Sequence, residues 1–215
     1  MVELRHVTKI LKGKKVLDDI CCTFTEGQAY GLMGINGSGK TMLMRAICGL
    51  ITPTSGEIVI NGKALGKELS FPESLGALIE NPAFIDFYTG FENLQLIAKI
   101  KKVVSASQIN DTLQKVGLEP GDKRKYKKYS LGMKQRLGIA AAIMELPDIV
   151  IFDEPLNALD EEGVKCFRNI IAELKEHGSI IILACHDRDE LLFLSDHIYK
   201  IDQGRISTQE NGGII

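Results

Sequence analysis

The chain has 215 residues, 45% hydrophobic and 25% charged, with a formal net charge of −2, which is the composition of one water-soluble globular unit. The near-neutral balance argues against a protein whose task is to coat a polyanion, so no nucleic-acid partner is expected. No apolar run approaches the roughly 18 residues that span a bilayer, and the start, MVELRHVTKI, lacks a secretory charge-then-apolar pattern, so a cytoplasmic chain is expected.

In chain order, VELRHVT alternates as a strand, and in DICCTFT the residues Ile20, Cys22 and Phe24 share one face, as in an antiparallel flank. AYGLMG is a short apolar run entering a glycine-rich turn, and TMLMRAICGL after it has the length of a helix. ITPTSGEIVINGK contains a strand closed by the turn pair Asn61-Gly62, and LGALIENP is a strand stopped by Pro82. From about Thr89 to Glu145 the pattern turns helical, with FENLQLIAKIKK and SQINDTLQKVG as amphipathic segments.

Beyond it, DIVIFDEP and SIIILACH are continuous apolar runs separated by a helix from about Glu161 to His177, and a short helix leads to HIYKID. Apolar strands alternating with helices predict a parallel sheet with right-handed crossovers. The tail after Gly204 reads as short and polar until its last two residues. Five cysteines, an odd number without CxxC spacing, predict neither a disulfide framework nor a zinc site.

Gly34-Ile35-Asn36-Gly37-Ser38-Gly39-Lys40-Thr41 fits the eight-position P-loop pattern and lies where that pattern works, between a strand and a helix. Glycines let the backbone wrap phosphate with its N–H groups turned inward. Lys40 would reach the β- and γ-phosphates, Thr41 would offer its hydroxyl to Mg²⁺, and the helix presents its positive end to the anion. Asp153 and Glu154 end a buried strand, where carboxylates are costly without a cation or water to serve. Asp153 fits beside Mg²⁺, and Glu154 is placed to orient or deprotonate an attacking water.

Together GINGSGKT, YSLGMKQR, IFDEP, NALD and the Cys185-His186 pair resemble the nucleotide-binding subunit of ATP-binding cassette (ABC) transporters over nearly the whole chain. SLGMKQR and LIENP look most like the bacitracin-export and lantibiotic-immunity branch. The expected fold is α/β: a P-loop NTPase core with a mainly parallel sheet, an N-terminal antiparallel β flank and an inserted helical subdomain. By the same resemblance, residues 1–215 are expected to form a single domain, with the core at 1–81 and 147–215 and the helical part at about 82–146.

The resemblance implies an Mg²⁺-dependent ATPase that works as a head-to-tail dimer, two identical copies being expected, with ATP between P-loop and opposite signature. It would power export, with peptide antibiotics as the suggested cargo, through a separate integral membrane permease, from the inner face of the cell membrane. Ser130, Leu131, Gly132 and Met133 occupy the signature, and Ser130 stands where a helix should begin. By the same resemblance His186 would contact the γ-phosphate, and Asp160 belongs to the loop that senses the opposite subunit, although it could simply cap the following helix.

Four positions depart from the family pattern. Leu131 replaces a glycine and Met133 a glutamine, each keeping its backbone N–H. Glu80 replaces the glutamine that touches Mg²⁺ and water, adding negative charge near the phosphates. Leu11 falls where an aromatic would stack on adenine, leaving base recognition to apolar packing with Val16.

Residues around Asn81 to Phe91, notably Phe84, Phe87 and Tyr88, are candidates for docking the permease or for core packing, and the run from Lys123 to Lys128 reads as a solvated basic face. The alternative function is a soluble ABC-type ATPase serving a macromolecular assembly such as iron–sulfur cluster building. A GTPase or small-molecule kinase is disfavoured because no [NT]KxD element is visible.

Overall fold

The computed structural model describes residues 1–211. The chain opens with a long hairpin, β1 (Val2–Leu11) and β2 (Lys14–Phe24), and then enters β3 (Ala29–Met33) and α1 (Lys40–Ile47). A second hairpin, β4 (Ser55–Ile60) and β5 (Lys63–Ala64), turns at Asn61 and Gly62, whose φ values of 49° and 81° are the doubly left-handed pair that a two-residue hairpin turn requires. After β6 (Leu75–Leu78) come three helices in succession, α2 (Gly90–Lys101), α3 (Ala106–Lys115) and α4 (Leu131–Ile143). The remainder alternates: β7 (Ile149–Asp153), α5 (Glu161–His177), β8 (Ile180–Ala184), α6 (Arg188–Leu194), β9 (His197–Asp202) and β10 (Arg205–Asn211).

Among the described residues the strands form two sheets. One is antiparallel, in the order β2-β1-β4-β5, and the other runs β10-β9-β3-β8-β7-β6. In the second sheet β9, β3, β8, β7 and β6 pair in parallel, while β10 adds an antiparallel edge. Every residue of β7 and β8 is buried, which is why both read as unbroken apolar runs. One face of this sheet packs on the hairpin flank and α1 through Leu17, Phe24, Leu43 and Ile151, and the other on α4 and α5 through Leu137, Phe152 and Phe167. The α/β architecture with its antiparallel flank is thus the one the patterning predicts.

The segment after Gly204 differs from its reading as a mere polar tail. It folds back through Gln203 and Gly204, both left-handed at φ 46° and 80°, and pairs with β9 from Arg205 to Asn211. A sheet edge tolerates polar residues, so hydrophobic patterning does not reveal such a strand. The two terminal isoleucines lie outside the described residues.

The helix starts are set by short-range chemistry. Thr89 and Glu92 form a reciprocal capping box at α2, and Ser105 and Gln108 form another at α3. All five cysteines are free. No helix of the described residues is long and apolar enough to cross a membrane.

Candidate functional site

An open cleft of about 470 Å³ lies at the carboxyl ends of the parallel strands, where open α/β sheets bind ligands. Its floor is the loop from β3 to α1. Gly37 and Gly39 hold φ values of 80° and 119°, and a Cβ on Gly39 would lie 2.9 Å from the Val16 carbonyl oxygen, so the tight passage needs glycine twice over. A Cβ on Gly34 would lie 2.3 Å from the Ile201 carbonyl oxygen. The loop is held from behind: Gly204 N–H donates to the Ser38 carbonyl at 2.7 Å, and Asp18 N–H donates to the Gly204 carbonyl at 2.8 Å. Sequence reading missed this buttress from the β9–β10 turn, since nothing in the glycine pattern names its support.

Lys40, buried at the first position of α1, turns its ammonium onto the loop carbonyls of Gly34 at 2.6 Å and Ile35 at 3.3 Å. Beside it, Thr41 Oγ1 donates to Asp153 Oδ2 at 2.6 Å, joining loop to strand end across 112 residues. Ser38 Oγ is buried without a hydrogen-bond partner. A strong cation, an orphaned hydroxyl and a left-handed glycine loop at a helix N-terminus together form a cradle for phosphate oxygens. Thr41 and Asp153 offer oxygen donors alone, the set a hard divalent cation such as Mg²⁺ takes.

Glu154 follows Asp153 with a left-handed backbone, φ 55°, and its N–H donates to the Ala184 carbonyl at 2.9 Å. That kink turns its carboxylate toward the loop after β8. There Oε2 accepts from His186 N–H at 3.0 Å, and the His186 ring Nε2 lies 3.5 Å from Oε1. Both residues line the cleft. The preceding Cys185 thiol is pushed up to about 11, first by burial, and is therefore not a nucleophile near neutrality.

Glu80 also lines the cleft, with φ 62°, and carries a partner that the sequence did not announce: Arg45 of α1 donates to its Oε1 at 2.6 Å. The charge expected to crowd the phosphates is thus opposed within the chain. Val16 and Asn36 line the cleft as expected, whereas Leu11, half-exposed at the hairpin end, does not.

Ser130 caps α4, its hydroxyl accepting from Met133 N–H at 3.2 Å, so one of the amides expected to stay available is taken in the single chain. Leu131 is exposed at 67%, and Met133 packs partly against the core. Gly132 has a reason internal to the chain, because a Cβ there would come within 2.7 Å of the Ala158 carbonyl oxygen. Asp160 accepts from Gly163 N–H at 2.9 Å as the N-cap of α5 and pairs with Arg136 of α4; these two contacts, in that order, hold its carboxyl below the usual range. In one chain, then, Asp160 ties the signature helix to α5.

The aromatics between β6 and α2 divide. Phe84 packs edge-on against Tyr126 at 5.4 Å, while Phe87 and Tyr88 are exposed. The neighbouring basic run is largely answered locally, Arg124 by Asp122, Lys125 by Glu92 and Lys127 by the Phe87 ring.

A family model described as ABC transporter matches residues 17–157. The chain is 47% identical over 210 residues to the uncharacterized ABC transporter ATP-binding protein YybJ of Bacillus subtilis (strain 168), covering 98% of this chain and 96% of that one. It is 36% identical over 213 residues to the bacitracin transport ATP-binding protein BcrA of Enterococcus faecalis, covering 98% and 69%. A solved structure described as the ATP binding subunit of an ABC transporter superposes with a TM-score of 0.89 at 26% identity, covering 98% of this chain and 90% of that chain.

Proposed function

The chain belongs to the ABC transporter family as an ATP-binding, ATP-hydrolysing subunit, and on that premise we propose that two copies enclose ATP head to tail and drive export through a separate membrane permease. The observation that carries the reading is the 2.6 Å bond from Thr41 to Asp153, with Glu154 next in the chain on the cleft wall. It sets a phosphate loop, a cation-ligating pair and a water-activating carboxylate around one space.

Each residue then has a role derived from its position. Lys40 exchanges the carbonyls of Gly34 and Ile35 for β- and γ-phosphate oxygens, and Ser38 Oγ gains its missing partner. Thr41, Asp153 and Glu80 would hold Mg²⁺, which would neutralise charge on the phosphates. Glu154 orients the attacking water and takes its proton, while the His186 amide fixes the carboxylate and its ring faces the γ-phosphate. Asn36, Gly37 and Gly39 supply the cradle, and Val16 supplies apolar contact for the base.

From the opposite copy, Ser130, Leu131, Gly132 and Met133 present the N-terminus of α4 to the γ-phosphate. Asp160 stands near the seam between copies. Residues from about 82 to 146 form a helical unit beside the core of 1–81 and 147–215, and Phe87 and Tyr88 are exposed for the permease. The subunit is cytoplasmic and peripheral on the inner face of the cell membrane. The bacitracin-transport relative supports a peptide antibiotic as cargo.

The test is the Mg²⁺-dependent ATPase rate of the purified chain against its own concentration, with Glu154→Gln as control. Specific activity that rises with concentration and falls by about a hundredfold or more in the control supports the reading. Hydrolysis at the wild-type rate by Glu154→Gln overturns the assignment of Glu154.

A further inference from the structure

Outside the nucleotide cleft, the β1–β2 hairpin gathers His6, Asp19 and Cys21, all exposed, with their ligand atoms within 4.8 Å of one another. The His6 ring Nδ1 lies 2.8 Å from Asp19 Oδ1 and 3.5 Å from Cys21 Sγ. ATP hydrolysis uses none of the three. We propose that this triad binds a zinc-class divalent cation through imidazole, carboxylate and thiolate, with a fourth position open to water.

The spacing fits the chemistry. Around a tetrahedral Zn²⁺, usual bond lengths put nitrogen and oxygen ligands about 3.3 Å apart and nitrogen and sulfur about 3.6 Å apart. The observed Sγ to Nδ1 distance is already close to this value. Nδ1 and Oδ1 need to part by about half an ångström, as the cation displaces the proton they share. A thiolate with an imidazole selects borderline and soft metals, whereas Mg²⁺ and Ca²⁺ prefer oxygen alone. His6 N–H points at Cys21 Sγ at 3.2 Å, a second-layer hydrogen bond of the kind that supports a metal-bound sulfur.

The backbone is shaped for this gathering. His6 and Asp19 hold left-handed φ values of 53° and 55°, and the register of β1 against β2 shifts between Leu4 and Val7 and again between Val7 and Lys9. Such bulges re-aim side chains. On the other side, β4 clears room with Gly56, where a Cβ would lie 2.1 Å from the His6 carbonyl oxygen. Asp19 N–H is held by Thr8 Oγ1 at 3.0 Å. Cys22, the adjacent thiol, packs against the inner cluster and so leaves Cys21 alone on the outer face. The expectation against a zinc site rested on missing CxxC spacing, but these ligands come from two strands.

The full chain, stripped of metal and free of nucleotide, is titrated with Co²⁺ and followed by absorption. A near-ultraviolet thiolate-to-cobalt band with visible tetrahedral bands, saturating at one equivalent and displaced by Zn²⁺, is expected. Cys21→Ser should abolish the band, His6→Ala and Asp19→Asn should weaken binding by roughly tenfold or more, and Cys166→Ser should leave it unchanged. Zn²⁺ should also raise the melting temperature of the wild type and not of Cys21→Ser. Absence of the band at large cobalt excess in a chain folded by circular dichroism overturns the site. So does a band that survives Cys21→Ser, or one indifferent to both His6→Ala and Asp19→Asn, which would mark a lone thiol.

Discussion

The Gln135 side-chain amide, from the helix that Ser130 caps, donates to the main-chain carbonyl of Glu154 at 3.1 Å and also to that of Pro155 at 3.0 Å. One buried residue of the signature helix therefore fixes the backbone beneath the carboxylate proposed to activate water. Gln135→Leu keeps the bulk but leaves both carbonyls without this donor, at a cost of about 1–3 kcal/mol. The expected outcome is a lower urea midpoint together with a fall in kcat exceeding any rise in KM. Loss of stability with unchanged turnover in the surviving folded fraction would mean that Gln135 supports the fold alone.

Gly132 lies where a Cβ would crowd the Ala158 carbonyl oxygen at 2.7 Å. That contact is within one chain, so Gly132→Ala should destabilise the nucleotide-free protein by about 1–3 kcal/mol, as overpacking against backbone does. Chemical denaturation at low protein concentration measures it. Unchanged stability with lost activity would place the glycine requirement wholly at the contact between copies.

Arg45 faces Glu80 across 2.6 Å with both side chains partly in solvent. Such a pair adds only about 0.2–1 kcal/mol to folding, but it opposes a negative charge on the wall of a site for polyanions. Arg45→Gln should leave the melting temperature nearly unchanged and weaken ADP binding in low salt, with the difference shrinking as salt is raised. Adding Glu80→Gln should restore affinity. Weakened binding that the second change does not restore would mean that Arg45 acts on the nucleotide by another route.

Much of this was legible in the sequence because the signals are local. The eight residues from Gly34 to Thr41, the apolar run into Asp153 and Glu154, and the cap at Ser130 each declare themselves within a single element. What escaped are contacts between residues distant in the chain: Gly204 behind Ser38, Arg45 on Glu80, and Gln135 under Glu154. No periodicity encodes such pairings. β10 escaped for a different reason, since an edge strand needs backbone partners more than apolar side chains. Leu11, which by resemblance falls where an aromatic would stack on adenine, is half-exposed at the last position of β1 and does not line the cleft.

Cys48 caps the carboxyl end of α1 inside the core shared by the two sheets, and burial pushes its thiol up to about 12. In the unfolded chain the same thiol releases its proton near pH 8.5. The folded protein therefore binds more protons than the unfolded one between those values, and stability falls as pH rises through that window. The contribution is present in full below about pH 8.5, and about 2 kcal/mol of it is gone by pH 10. Cys22, also raised to about 12 first by burial, adds a loss of the same sign. Cys48→Ala should start from a lower stability at pH 7 because a buried sulfur is removed, yet lose less on the way to pH 10 than the wild type does. Urea unfolding across that range checks the slope. Parallel curves for the two proteins would show that the Cys48 thiolate forms in the folded chain without penalty, against the burial that surrounds it.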